Sequence, residues 1–272
     1  MSEQKSVEEL LYYQMIRSKC FIDIKEDIKH PPIALSCGYT ISGKNSLKKY
    51  PIPIGTMGNF SFIQAPPKSF KTYFISLLAS AYASNDCAYR GNITSHRTDE
   101  QMLWFDTEQS KFHAKLVTER VQRMNPTLNL DFYHPFALRE MNYSNRIDFI
   151  EFELDNWSKN NKKIGLVVID GVADLCMDVN NLSDCNELVQ KLMTWTTRYN
   201  CHIVSVIHSN FGSDKPTGHL GSALEKKAET QIELKFDTTA GKIQVSCKRS
   251  RNTPFEDFYF FLDENKLPIF SY

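Results

Sequence analysis

The sequence predicts an α/β fold: a mainly parallel sheet, antiparallel strands at its C-terminal side, and a short N-terminal helical and hairpin extension. Three observations predict it. Apolar strand-like runs alternate with longer helical segments through the middle of the chain, the pattern of strands joined by helical crossovers. One of these runs, IGLVVID ending at Asp170, is unbroken in its apolar character, as a strand buried on both faces requires. The tail breaks the alternation, with TQIELKF, KIQVSCKR, FEDFYFFLD and KLPIF spaced closely around the turn signals TAGK and DENK.

Taken in order, residues 3–19 set Val7, Leu10, Leu11, Met15 and Ile16 near helical spacing, a short amphipathic helix suited to packing on the domain or on a neighbouring subunit. From Pro31 to Gly58 the chain is rich in Pro and Gly and reads as short strands and turns, a lead-in hairpin. Strand FSFIQA follows, then a helix from about Lys71 to Ser84. The polar stretch Ala88 to Glu100 reads as a loop. Beyond it come strand QMLWFDTE, a helix over 110–124, strand LDFYHPF, a helix over 145–160, strand IGLVVIDG, a helix over 184–199 and strand HIVSVIHS.

Composition narrows the class. A chain of 272 residues with 42% hydrophobic content supports one large α/β domain with a small appendage. Basic and acidic residues number 32 each, so the molecule has no bulk attraction for a phosphate backbone, and any nucleic-acid contact must come from a local patch. Cys20, Cys37, Cys87, Cys176, Cys185, Cys201 and Cys247 are odd in number and form no CxxC pair, which reads as reduced thiols in a cytoplasmic protein. The N-terminus carries acids and no continuous apolar stretch, unlike a signal peptide or a membrane span.

The first chemical motif follows FSFIQA directly: Ala65, Pro66, Pro67, Lys68, Ser69, Phe70, Lys71 and Thr72, then an apolar helix. A phosphate loop needs backbone N–H groups at a helix N-terminus, a Lys for the β/γ oxygens and a hydroxyl for Mg2+. Lys71 and Thr72 stand where those side chains belong. Ala65 and Phe70 occupy both glycine positions of G-x-x-x-x-G-K-[ST], and two prolines remove N–H donors. Lys68 and Ser69 offer a second cation and an extra donor.

The partners of this loop fall at strand ends, where open parallel sheets bind ligands. Asp170 ends its strand in the place of a carboxylate that holds the Mg2+ shell with Thr72. Asp106 and Glu108 both stand near the end of QMLWFDTE, and either is placed to orient and deprotonate an attacking water. His208 and Asn210 end HIVSVIHSN, polar groups suited to sensing a γ-phosphate. The next segment, 211–221, contains Gly212, Gly218 and Gly221 and reads as a mobile loop able to grip a polymer. Lys248, Arg249 and Arg251 concentrate at a late strand end, where guanidinium groups pair with phosphate oxygens in their own site or in a neighbour's.

These motifs resemble the RecA-like branch of P-loop ATPases, the superfamily of RecA recombinase and the ring-shaped replicative helicases, and in particular the compact helicase-like ATPases of plasmids, phages and mobile elements. The resemblance runs from about Pro51 to the C-terminus, dividing the chain into an extension, residues 1–50, and an ATPase domain, residues 51–272. It implies a RecA-like core with Walker A and Walker B elements and bound Mg-ATP. FDTE is similar to the strand that ends in the family's catalytic glutamate, which selects Glu108, and VVIDGVADL to the second acidic motif at Asp170. VIHSN resembles the motif whose polar residue meets the γ-phosphate, His208. Arg249-Ser-Arg251-Asn-Thr-Pro resembles K-x-R-N-G-P of the ring helicases, implying that Arg251 is an arginine finger and that Arg249 stands where Lys is usual.

The implied activity is an Mg-ATP-dependent helicase or loader on single-stranded DNA in the replication of a mobile element. The implied assembly is a homo-oligomer, a hexameric ring, with DNA held by the 211–221 loop and the basic strand end 248–251. A nucleotide-binding regulator with little or no hydrolysis is the alternative that the replaced glycines favour. A small-molecule kinase explains Lys71 and Thr72 equally well but lacks an arginine-rich lid segment.

Overall fold

Side-chain alternation along the central strands decides which of two core layers each residue enters. In this computed structural model, which describes residues 6–42, 48–210 and 215–271, the chain forms two compact units, Met1–Pro31 and Pro32–Tyr272. In the first unit, helix α1 (Val7–Cys20) starts at Ser6, whose Oγ accepts from Glu9 N at 3.2 Å while Ser6 N donates to Glu9 Oε2 at 3.0 Å. This reciprocal cap satisfies two otherwise orphan donors, and Arg17 and Lys19 in the last turn suit the helix dipole. Residues 3–5 of the expected helix lie outside the described residues.

The second unit begins with β1 (Ile33–Ser42), β2 (Lys48–Thr56) and β3 (Phe60–Ala65), then α2 (Lys71–Ala83), β4 (Ile93–Ser95) and β5 (Gln101–Asp106). It continues through α3 (Lys111–Met124), β6 (Tyr133–Ala137), α4 (Tyr143–Lys159), β7 (Ile164–Asp170), a 3₁₀ turn (Val172–Leu175), α5 (Leu182–Tyr199) and β8 (His202–His208). It closes with α6 (Gly218–Lys227), β9 (Thr230–Asp237), β10 (Lys242–Ser250), β11 (Phe258–Leu262) and β12 (Pro268–Ser271).

Among the described residues the large sheet has the order β12-β11-β10-β9-β3-β8-β7-β5-β6. Strands β9, β3, β8, β7, β5 and β6 pair in parallel, and β9 to β12 pair antiparallel, as the sequence predicts. In β7, Leu166 and Val168 enter one core layer, with Phe74 of α2 and Val121 of α3. Ile164, Val167 and Ile169 enter the other, with Ile150 of α4 and Leu192 of α5. Each fully buried side chain of this size contributes about 1.5–3 kcal/mol, so the helices on both faces are held mainly by this division. Pro135 in β6 lacks an N–H for a further ladder, which suits that strand's place at the edge.

The expected hairpin is present as β1 and β2, and β4 joins it to make a small antiparallel sheet of order β2-β1-β4. Strand β4 lies inside the stretch Ala88 to Glu100 expected as a loop. Three residues, two of them polar, carry too little alternation to announce a strand. Gly55 in β2 lets the small sheet press on β8, since a Cβ there would lie 2.0 Å from His202 Nε2.

Helix α6 departs from the sequence reading too. Of the loop expected over 211–221, residues 211–214 lie outside the described residues, while 218–221 form the first turn of α6. The glycines there serve packing: a Cβ on Gly221 would meet Pro216 at 2.7 Å, and Leu220 is fully buried. Among the described residues no helix is long and apolar enough to cross a membrane.

Candidate active site

Strand β3 ends at buried Ala65, and the chain turns through exposed Pro66, Pro67 and Lys68 before α2 begins at Lys71. Two residues of this turn, Lys68 and Phe70, hold φ of 61°, the left-handed region that favours glycine. Phe70 therefore takes at the helix N-cap a backbone shape that a glycine adopts freely, and its ring lies 5.7 Å from that of Tyr73 and 4.9 Å from that of Phe236. Ser69 is buried. Tyr73 N and Phe74 N donate to Phe70 O at 3.0 and 3.1 Å, and with no side-chain cap on α2 the N–H groups of Lys71 and Thr72 stand ahead of the helical ladder, at a helix N-terminus that suits an anion.

The Lys71 side chain folds back into the loop. Its Nζ donates to Pro66 O at 2.9 Å and Ala65 O at 3.4 Å, and lies 3.0 Å from His208 Nδ1. An ammonium has only donors, so Nδ1 must accept and the His208 proton sits on Nε2. That nitrogen faces Glu108 Oε1 at 3.3 Å. Burial lowers the Lys71 pKa, against the opposing charges of Glu108 and Asp170. The hydrogen bond from His208 lowers the Glu108 pKa against its burial, and the Lys71 charge adds to that lowering.

Thr72 Oγ1 donates to Asp170 Oδ2 at 3.3 Å, joining the start of α2 to the end of β7. Burial, with Asp106 and Glu108 nearby, pushes the Asp170 carboxyl up to about 8. A carboxylate crowded by like charges and beside a hydroxyl is a donor set for a hard divalent cation, whose charge would relieve that crowding. The residues present therefore fit Mg2+ held by Thr72 and, directly or through water, Asp170.

Asp106 and Glu108 differ in position, which the sequence left open. Asp106 is the last residue of β5 and is buried, its Oδ1 accepting from Gln109 N at 2.8 Å and Glu108 N at 3.1 Å. Its carboxylate thus shapes the turn, and burial raises its pKa. Its Oδ2 is buried with no hydrogen-bond partner among the described residues. Glu108 lies beyond the strand and reaches His208.

Three positioning residues escaped the sequence reading. Thr107 Oγ1 lies 2.9 Å from Asp170 O, 3.0 Å from Gly171 O and 2.8 Å from Asp174 Oδ2, fastening the two acidic strand ends together. Gly171, with φ of 107°, must lack a side chain, because a Cβ would stand 2.2 Å from Thr107 Oγ1. Arg146 of α4 donates to the carbonyls of Asp174, Thr107, Leu138 and Arg139, so it ties these loops to one another. A Thr between two acids and an Arg in a polar helix carry no signal that separates them from surface residues.

The basic strand end lies elsewhere. Strand β10 runs antiparallel to β9, so Arg249 and Ser250 pair with Gln231 and Thr230 at the start of β9, the end of the sheet opposite the phosphate loop. Lys248 Nζ bonds Glu233 Oε1 at 2.8 Å, Arg249 lies 3.9 Å from Glu225, and Arg251 Nη2 donates to Lys227 O at 2.8 Å. The structure thus gathers Lys71, Thr72, Glu108, Asp170 and His208 and leaves Arg249 and Arg251 apart from them in the same chain. A cavity of about 1020 Å³ opens beside the site, lined by Trp104, Asp106, Lys111, Tyr133, Phe136 and Arg139 among others.

No curated protein matches this sequence. Among solved structures the fold is similar to one described as an ATPase domain, with a TM-score of 0.58 and 12% identity over 79% of this chain and 86% of that one. At that identity the likeness is one of fold, and the fold is that of the RecA-like P-loop ATPases. The AAA domain family matches residues 46–214, more than half of the sequence, and includes the strands and loops that carry Lys71, Thr72, Glu108, Asp170 and His208. The chain belongs to the AAA domain family.

Proposed function

We propose that the chain is a helicase-like, Mg-ATP-dependent motor or loader that acts on single-stranded DNA as a homo-oligomeric, hexameric ring. The observation that carries the reading is the convergence of Lys71, Thr72, Asp170, Glu108 and His208 at the carboxyl ends of adjacent parallel strands, linked by contacts of 3.0 to 3.3 Å. In this reading residues 51–272 are the ATPase domain and 1–50 its extension.

The α2 N-terminus and Lys71 receive the β- and γ-phosphates, with Ala65 to Phe70 wrapping the loop around them. Lys71 exchanges the carbonyls of Ala65 and Pro66 for phosphate oxygens. Thr72 and Asp170 would hold Mg2+, which would supply neutralisation of the phosphate charge. Glu108 orients a water and takes its proton as the new O–P bond forms and the bond to ADP breaks. His208, bonded to both Lys71 and Glu108, registers the γ-phosphate. Arg251, with Arg249 beside it, serves a neighbouring subunit's nucleotide, a role that suits its place at the opposite end of the sheet. Segment 211–221 and the basic strand end 248–251 meet the DNA.

A nucleotide-binding regulator with slow or no turnover is the second reading. It is favoured by Lys71 being held by two carbonyls and a histidine in a loop with non-glycine residues at φ of 61°. Phosphate release from ATP, measured with and without single-stranded DNA, separates the two. DNA-stimulated turnover that Lys71→Ala abolishes supports the motor, and Lys71-dependent binding without turnover sinks it in favour of the regulator.

A further inference from the structure

Three aromatic side chains meet beside the phosphate loop, and the chemistry assigned above uses none of them. Phe70 and Tyr73 flank Lys71 and Thr72 in sequence, and their ring centroids lie 5.7 Å apart. Phe236, near the end of β9, presents its ring 4.9 Å from that of Phe70 in an edge-on arrangement. Strand β9 is the parallel neighbour of β3, with Glu233 opposite Gln64, so Phe236 stands past the end of the sheet at which the phosphate loop begins. Tyr73 is braced from α3: the Arg120 guanidinium lies 3.7 Å over its ring, and Arg120 Nη1 donates to Ser76 Oγ at 3.1 Å.

We propose that Phe70, Tyr73 and Phe236 form the ledge on which the nucleobase of the bound triphosphate stacks, with Phe236 as its outer surface. The inference rests on the reading of Lys71 and Thr72 as phosphate ligands. Phosphates anchored at the start of α2 leave the sugar and base to extend over the surface next to it, and the ledge is that surface. A bulky residue in the left-handed region persists only where its surroundings hold it there, and such residues cluster at ligand sites. Phe236 is 40% exposed, a large ring offered to solvent beside the loop. Stacking engages the π-face of a base and not its hydrogen-bonding edges, so the ledge accepts ATP and GTP with little discrimination.

The test is calorimetric binding of Mg-ATP and, separately, of Mg-tripolyphosphate to the full chain and to its Phe236→Ala and Phe236→Trp variants. Phe236→Ala is expected to weaken ATP binding by about tenfold or more, the usual scale for one lost stacking partner, and to leave tripolyphosphate within about twofold. Phe236→Trp is expected to retain ATP affinity. Equal losses for both ligands in Phe236→Ala, or no loss for either, overturn the ledge. A wild-type chain that binds tripolyphosphate as well as ATP also overturns it, while leaving the phosphate site intact. A chain that binds neither overturns both readings.

Discussion

His208 stands between Lys71 and Glu108, with Nδ1 3.0 Å from the ammonium and Nε2 3.3 Å from the carboxylate. One imidazole thus joins the residue assigned to the phosphates with the residue assigned to the water. Removing it should separate binding from turnover. In His208→Ala the ATP dissociation constant is expected to stay within about threefold, while kcat falls by about 10- to 100-fold. Nucleotide titration and phosphate release on the same preparation check this. Weaker binding with kcat unchanged would make His208 a binding residue only.

Lys68 and Phe70 share a φ of 61° but not an environment, so the same substitution should act on them in opposite directions. Lys68 is exposed, and Lys68→Gly is expected to stabilise the fold by up to about 1 kcal/mol through relief of left-handed strain, less the entropy a glycine adds. Phe70→Gly gains the same relief but loses its ring contacts with Tyr73 and Phe236, for a net destabilisation of about 1 kcal/mol. Urea denaturation of the two variants reads both signs.

Thr107→Val removes the hydroxyl that binds the ends of β5 and β7 together while keeping the side chain's shape. The buried carbonyls of Asp170 and Gly171 then lose a donor, and the expected cost is about 1–3 kcal/mol. Turnover should fall with it, because Glu108 and Asp170 lose their common anchor. Unfolding midpoints together with turnover check the pairing.

His202 is fully buried, its Nδ1 lies 3.0 Å from Thr56 O, and burial lowers its pKa below the ordinary histidine value. The folded state therefore keeps the ring neutral while the unfolded chain protonates it. The stability this contributes is present above the ordinary histidine pKa of about 6.5 and is lost as pH falls below it, by at most about 1.4 kcal/mol per pH unit. Melting temperatures between pH 7.5 and 5.5 should drop more steeply for the wild type than for His202→Gln, which cannot titrate.

Much of this arrangement was legible in the sequence because it follows from periodicity and from strand ends. The unbroken run that ends at Asp170 had to be a central strand, and Lys71-Thr72 after FSFIQA had to open a helix. Asp106 and Glu108 resisted, since their difference depends on where β5 stops, and strand ends are set by pairing partners and not by local residues. Phe70 occupies a glycine position of the phosphate-loop pattern, and the pattern alone gives no reason for an aromatic ring there. Its backbone is held by rings at Tyr73 and at Phe236, the latter far away in sequence, which no local pattern encodes. Helix α6 was hidden by glycines that read as breakers but serve close packing on Pro216. The placement of Arg249 and Arg251 at the opposite end of the sheet follows from the antiparallel turn between β9 and β10, a consequence of topology that a motif search passes over.

The most direct test of the central claim, that Lys71, Thr72, Asp170 and Glu108 form an ATP site, is Mg-ATP binding and hydrolysis measured side by side on Lys71→Ala and Glu108→Gln. The account expects Lys71→Ala to lose binding by at least about tenfold, and Glu108→Gln to bind as the wild type does while turnover falls by about 100-fold or more. Wild-type affinity in Lys71→Ala would contradict it, because nucleotide would then be held somewhere other than the start of α2.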